Sequence, residues 1–215
     1  MTKPEALAWM KRTKIVPVIR AESPEQALQI ADLLHEGGID IFEVTLTVPG
    51  AVEVIRRLSQ EFQGRALIGA GTVLDESSSL ECVANGANFV VAPNTSPEVI
   101  RACRESDILC APGALTPTEV LFAHSLGADL VKVFPCDAVG GPGYIKALKA
   151  PLPNIELLPT GGVALDNVCA FLKAGACCVG VGTNLVDLKA LKQDPRKLVD
   201  LARAFLEAAG GVSAT

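Results

Sequence analysis

Aromatic residues are scarce, at 4% of the 215-residue chain, which leaves the core to Val, Ile, Leu and Ala, as parallel sheets prefer. Histidine is scarcer still. Only His35 and His124 occur, each within a helical pattern and far from other ligand types, which argues against a metal site. The seven cysteines include no C-x-x-C pair; Cys110, Cys136, Cys177 and Cys178 lie in or beside apolar strands, where a free thiol acts as a small hydrophobe. A reducing cytoplasm is the expected location. There is no excess of positive charge: the net charge of −5 argues against non-specific nucleic-acid binding, while leaving room for a local basic pocket for an anion. No apolar run reaches the roughly 18 residues needed to cross a bilayer, so no membrane partner is expected. Met1-Thr2-Lys3-Pro4-Glu5 lacks a signal-peptide pattern and reads as the start of a short amphipathic helix ending near Lys14. Linkers and low-complexity segments are also missing.

What is present is a regular alternation of apolar runs and helical patterns. Strands are predicted over 15–19, 41–45, 66–70, 88–92, 108–111, 130–134, 155–159 and 177–181. Ser23-Pro24-Glu25-Gln26 and Thr116-Pro117-Thr118-Glu119 each combine an N-cap, a proline at the first helical position and a capping-box acceptor. Ser96-Pro97-Glu98 is a weaker version, and Gly37-Gly38 stops the first of these helices. Eight such units predict one (β/α)8 TIM barrel domain over residues 1–215, with the N-terminal helix as an addition. A doubly wound open sheet is the alternative, but it does not readily explain the repeat described next.

Gly38-Ile39, Gly86-Ala87, Gly127-Ala128 and Gly175-Ala176 each end a helical pattern and open an apolar run, at spacings of 48, 41 and 48. This is an internal repeat of about 45 residues, two β/α units per repeat. Five residues beyond each glycine stand Glu43, Val91, Lys132 and Gly180. Equivalent positions on alternate barrel strands form one layer of inward side chains. An acid, an amine, a small apolar residue and a glycine would then share a layer, two charges facing each other with space beside them. A buried charge is costly unless paired or functional. A buried salt bridge is one reading; the other is catalysis, because a neutral lysine amine forms Schiff bases with carbonyl compounds. The free space favours catalysis.

Barrel active sites lie at the C-terminal ends of the strands. Those ends carry Arg20, Thr45 to Thr47, Gly69-Ala70-Gly71-Thr72, Pro93-Asn94, Pro112-Gly113, Phe134-Pro135, Thr160-Gly161-Gly162 and Gly182-Thr183-Asn184. Gly161-Gly162 and Gly182-Thr183 close the seventh and eighth predicted strands, where barrels commonly hold a phosphate on backbone N–H groups. Gly69-Ala70-Gly71-Thr72 lacks the P-loop lysine and the length of a dinucleotide fingerprint.

Across essentially its whole length the chain resembles the class I aldolases that cleave 2-keto-3-deoxy-6-phosphogluconate (KDPG), with their 4-hydroxy-2-oxoglutarate (KHG) and galactonate relatives. Four phrases carry the resemblance: Glu43-Val44-Thr45-Leu46, Gly69-Ala70-Gly71-Thr72-Val73, Lys132-Val133-Phe134-Pro135 and Pro159-Thr160-Gly161-Gly162-Val163. It implies that Lys132 is the Schiff-base lysine and Glu43 the general acid/base. Thr72 and Thr160 would help hold the pyruvyl carboxylate and C2 region, and Pro93 would line the pocket. Gly161, Gly162, Gly182 and Thr183 would hold the phosphate. It further implies a phosphorylated keto-acid substrate, no cofactor and a homotrimer. One departure is plain: the arginine that well-known members carry four residues after the glutamate is Thr47 here. Arg20 is the expected substitute, against the alternative of a surface pair with Glu22. A phosphogalactonate aldolase, another phosphate-binding barrel enzyme and a binding barrel are the competing functions; the last two give no reason for an imine-forming lysine.

Overall fold

Hydroxyl caps and prolines set the helix starts in the computed structural model, which describes residues 1–210. The predicted end of the domain at 215 lies outside the described residues. Ser23 opens α2 (Pro24–Glu36), Ser96 opens α5 (Pro97–Glu105) and Thr116 opens α6 (Pro117–Ser125), each with proline in the first turn. The Thr116–Glu119 capping box is reciprocal, whereas Gln26 departs from expectation: its side chain accepts from the Glu22 N–H at 2.8 Å rather than from Ser23. A further box, Thr2–Glu5, opens the N-terminal helix α1 (Lys3–Thr13), which stops at Lys14 as expected. Helix α2 ends at Gly37, and Gly38 takes the left-handed turn at φ +93° that a side chain would resist. The other helices are α3 (Ala51–Phe62), α4 (Glu76–Ala84), α7 (Pro142–Lys149), α8 (Val168–Lys173), α9 (Leu188–Gln193) and α10 (Arg196–Gly210).

The strands are β1 (Ile15–Ile19), β2 (Ile41–Thr45), β3 (Leu67–Gly71), β4 (Phe89–Val91), β5 (Leu109–Ala111), β6 (Gly113–Ala114), β7 (Val131–Val133), β8 (Leu157–Pro159) and β9 (Val179–Val181). Every residue in them is buried, which is why the sequence shows apolar runs instead of alternation. All pairings are parallel. Six strands form one sheet in the order β5-β4-β3-β2-β1-β9, and three form a second, β6-β7-β8. The fifth predicted strand, 108–111, is found as β5; it stops at Pro112, which has no N–H to donate, and the chain resumes as β6. The Lys132 N–H donates to the Pro112 carbonyl at 2.8 Å across that break. At the other edge the Cys177 N–H donates to Leu157 O at 3.1 Å, and Thr160 bridges to Gly180. Hydrogen bonds therefore join the smaller sheet to both edge strands of the larger.

Two apolar clusters result. The larger lies between the strands and the surrounding helices; the smaller lies on the other face of the strands, with Val16, Ile41, Leu67, Phe89, Val91, Leu109 and Leu158. Gly69 is required there, because a Cβ would stand 2.2 Å from the Phe89 ring. Ala6 and Met10 of α1 join this inner cluster. Salt bridges Lys3–Asp129, at 3.0 Å, and Lys11–Glu156 tie α1 to the segments beside β7 and β8. Among the described residues no helix is long and apolar enough to cross a membrane.

Candidate active site

Lys132 sits mid-strand in β7, between Gly113 of β6 and Leu158 of β8, and is 6% exposed. Its Nζ lies 5.0 Å from the centroid of the Phe134 ring, a contact that favours a cation. Glu43 sits mid-strand in β2, between Val18 and Gly69, and is 1% exposed. Neither of its carboxylate oxygens has a hydrogen-bond partner. The two charges are therefore not hydrogen-bonded to each other, and the salt-bridge reading loses its main requirement. Burial raises the Glu43 carboxyl above its ordinary value, outweighing the opposing fields of Lys132 and Arg20. Burial thus favours the protonated form of this acid more than at an exposed glutamate, and a positive charge forming nearby would favour the carboxylate.

Glycines make room for the Glu43 carboxylate and the Thr160 hydroxyl. A Cβ at Gly71 would meet Glu43 Oε1 at 2.2 Å, and one at Gly180 would meet Thr160 Oγ1 at 2.3 Å. The Thr160 hydroxyl is buried without a partner, like the Glu43 oxygens. Next to Gly71, Thr72 holds φ +62°, a left-handed backbone that a β-branched residue adopts only under constraint. Thr45 Oγ1 donates to Ile19 O at 3.1 Å and lies 2.7 Å from Thr47 Oγ1. Because Thr45 has a single hydroxyl hydrogen, Thr47 must be the donor in their contact. Thr47 is thus occupied and does not replace an arginine.

A cavity of about 170 Å³ gathers Arg20, Thr160, Gly161, Gly162, Gly182 and Thr183. All six were singled out from the sequence, and they come from the end of β1, the loop after β8 and the loop after β9. Gly161 and Gly162 have φ of +100° and +71°, and a Cβ on either would run into Asp137. A Cβ added at Gly182 would meet nothing within 4 Å, so the backbone there stands open. Arg20 is exposed, and its field reaches Glu43. The alternative pairing fails, since Glu22 accepts from Lys192 Nζ at 2.7 Å. Thr72 and Pro93 lie outside this cavity's lining; Pro93 packs its carbonyl against Gly113, the neighbour of Lys132 across the sheet. Val18 also lines the cavity, without any signal in the sequence, and so does Asn184, which the strand-end reading included without a role. Asn184 Nδ2 donates to Val163 O at 2.9 Å, joining the two glycine loops; its place right after Gly182-Thr183 was the available signal. Among the described residues no group of three or more His, Cys, Asp or Glu is placed to hold a metal ion.

The arrangement offers a buried amine, a buried acid whose pKa is raised and backbone-lined space for an anion, which together suit imine chemistry on a phosphorylated carbonyl compound. The chain is similar to known proteins in sequence and in fold. The family described as KDPG and KHG aldolase matches residues 7–201. The 2-dehydro-3-deoxy-phosphogluconate aldolase of Pseudomonas aeruginosa is 37% identical over 79% of this chain and 77% of its own. The 2-dehydro-3-deoxy-6-phosphogalactonate aldolase of Escherichia coli is 33% identical over 94% of this chain and 97% of its own. Among solved structures, KDPG aldolase of Legionella pneumophila, with pyruvate captured as a covalent carbinolamine, superposes with a TM-score of 0.85 at 33% identity, covering 93% of this chain and 97% of that one. With matched sequence, matched fold and a buried lysine and glutamate on separate strands, the chain belongs to the KDPG and KHG aldolase family.

Proposed function

We propose that the protein is a class I pyruvate aldolase, a lyase that cleaves 2-keto-3-deoxy-6-phosphogluconate to pyruvate and glyceraldehyde 3-phosphate. It would also cleave 4-hydroxy-2-oxoglutarate to pyruvate and glyoxylate. The observation that carries this reading is the pair Lys132 and Glu43: both buried, neither neutralised by the other, and the acid's pKa raised. Lys132 Nζ attacks the C2 ketone and water leaves, giving an iminium that accepts electrons. Glu43, directly or through a water, takes the C4 hydroxyl proton as the C3–C4 bond breaks. The aldehyde departs, and the remaining enamine is protonated at C3 and hydrolysed to pyruvate, freeing Lys132.

Arg20 binds the substrate carboxylate in place of the arginine absent at Thr47, assisted by Thr72 and Thr160, with Pro93 closing the pocket wall. Gly161, Gly162, Gly182 and Thr183 hold the phosphate through backbone N–H groups and a hydroxyl. The 6-phosphogalactonate epimer is the second reading, favoured by the Escherichia coli relative. The fold reading that accompanies this is one (β/α)8 barrel domain with an added N-terminal helix, supported by the hydrogen bonds that join the two sheets at both edges. A cytoplasmic homotrimer completes it; Leu121 and Phe122 of α6, 49% and 48% exposed, support self-association.

Borohydride reduction in the presence of pyruvate tests the chemistry. The expected result is a stable adduct on Lys132, mapped by peptide mass and lost in Lys132→Arg. An unmodified Lys132, or equal labelling of the variant, would sink the aldolase reading.

A further inference from the structure

Outside the cavity, one pair of nucleophilic side chains has a geometry that the proposed aldolase chemistry leaves unused. Adjacent residues of a straight strand point to opposite faces. At Cys177 and Cys178 the chain bends just before β9, and the two sulfurs come to 3.6 Å from each other. Cys177 is partly exposed and Cys178 is buried. The Cys177 thiol also donates to Leu157 O at 3.3 Å, which fixes its side chain. The buried thiols Cys103 and Cys110 also interact, but no small reagent reaches them.

We propose that Cys177 and Cys178 form a reversible thiol–disulfide site, closed by a small disulfide such as oxidised glutathione. The Cys177 thiolate attacks one sulfur of the reagent, forming a mixed disulfide and releasing one reduced thiol. The Cys178 sulfur then attacks the Cys177 sulfur; the new bond joins the neighbouring residues, and the second reduced thiol leaves with the Cys178 proton. Two hydrogens leave the protein and one reagent disulfide becomes two thiols. The roles follow from burial and hydrogen bonding: contact with Cys177, then desolvation, raises the Cys178 thiol well above its usual range, so Cys177 is the attacking member.

Closure has a structural consequence. The S–S bond is about 2.0 Å long, so the sulfurs must approach and the peptide between them must turn. That peptide leads directly into β9, whose Gly180 faces Thr160 and whose end carries Gly182 and Thr183 of the cavity. A shift on the order of 1 Å at a site can cost about 100-fold in rate. Oxidation is therefore expected to lower turnover by about tenfold to 100-fold, and dithiothreitol to restore it.

The test uses the whole chain incubated with oxidised glutathione. The expected product has lost two hydrogens by intact mass, with Cys177 and Cys178 in one peptide that resists alkylation until reduced. Trp9, the sole tryptophan, packs against the same inner cluster as Cys177, so its fluorescence should change on oxidation. Cys177→Ser should abolish the product, and Cys178→Ala should stop at a glutathione adduct on Cys177. A stable adduct on Cys177 of the unaltered chain, thiols that stay open to alkylation, or closure between Cys103 and Cys110 would each overturn the proposal. Mass and fluorescence read the disulfide without reference to aldolase activity, so either idea can fail alone. A fully closed disulfide with unchanged turnover would refute the link to the cavity.

Discussion

Replacing Glu43 with glutamine separates catalysis from structure more cleanly than any other single change. The side chain keeps its size, so the apolar packing around β2 is undisturbed. If Glu43 and Lys132 formed a buried ion pair, breaking it would cost about 3–5 kcal/mol. For a chain of this length each kcal/mol lowers Tm by roughly 2–4 °C, so that loss would appear as a fall of about 6–20 °C. The geometry points the other way. Both carboxylate oxygens already lack partners, so an amide in the same place forfeits no hydrogen bond, and the expected change is within about 1 kcal/mol. The sign with pH is also fixed. Burial raises the folded pKa above the ordinary 4.5, so the stabilisation from proton uptake is complete below 4.5 and is lost as pH rises through the raised value. Glu43→Gln removes that decline, and its advantage over the natural chain should grow across this window. Turnover should fall by about 10²- to 10⁴-fold, the usual worth of a general acid/base, while pyruvate still forms a reducible imine. Calorimetry and turnover on one preparation decide the matter: a strongly destabilised variant whose folded fraction keeps full activity refutes the reasoning.

Other substitutions probe the remaining groups. Arg20→Ala should cost about 1.5–3 kcal/mol of binding to a charged substrate group, roughly 10- to 150-fold in catalytic efficiency; because Arg20 lines the same cavity as the phosphate glycines, steady-state kinetics on phosphorylated and unphosphorylated substrates decides between a carboxylate contact, which leaves their ratio unchanged, and a phosphate contact, which lowers it. Gly180→Ala places a Cβ 2.3 Å from Thr160 Oγ1 and should cost about 1–3 kcal/mol along with most activity, read by melting and turnover. Gly182→Ala meets nothing within 4 Å and should keep its Tm while weakening only phosphorylated substrates. Thr72→Gly relieves about 1–2 kcal/mol of left-handed strain against about 0.5–1 kcal/mol of added chain entropy, so Tm should hold or rise while efficiency falls.

All eight apolar runs read from the sequence are strands, because burial on both faces makes each one a continuous signal. The break at Pro112 was not legible as such: Gly113–Ala114 is too short for a pattern, and only pairing with Lys132 reveals it as a strand. The repeat of glycines located Glu43 and Lys132 because equal spacing preserves register along parallel strands. The glycines closing β8 and β9 were legible because they directly follow apolar runs. What the sequence hid was direction. Nothing in Thr45-Leu46-Thr47 announces that the two hydroxyls would satisfy each other, and nothing in Gly71-Thr72 requires a left-handed threonine. Val18 escaped notice because an apolar residue on a buried strand gives the same signal whether it faces packing or a cavity.

The pairing of β1 with β9 constrains how the chain can be made. Ile15 meets Val179, and α1 leans on Asp129 and Glu156, so α1 and β1 find these partners in segments synthesised well after them. At roughly 5–20 residues per second, ~10–30 s separate the emergence of β1 from that of its second neighbour. During that interval one edge of β1 stands without its strand partner, and Ala6 and Met10 lack part of the inner cluster that later covers them.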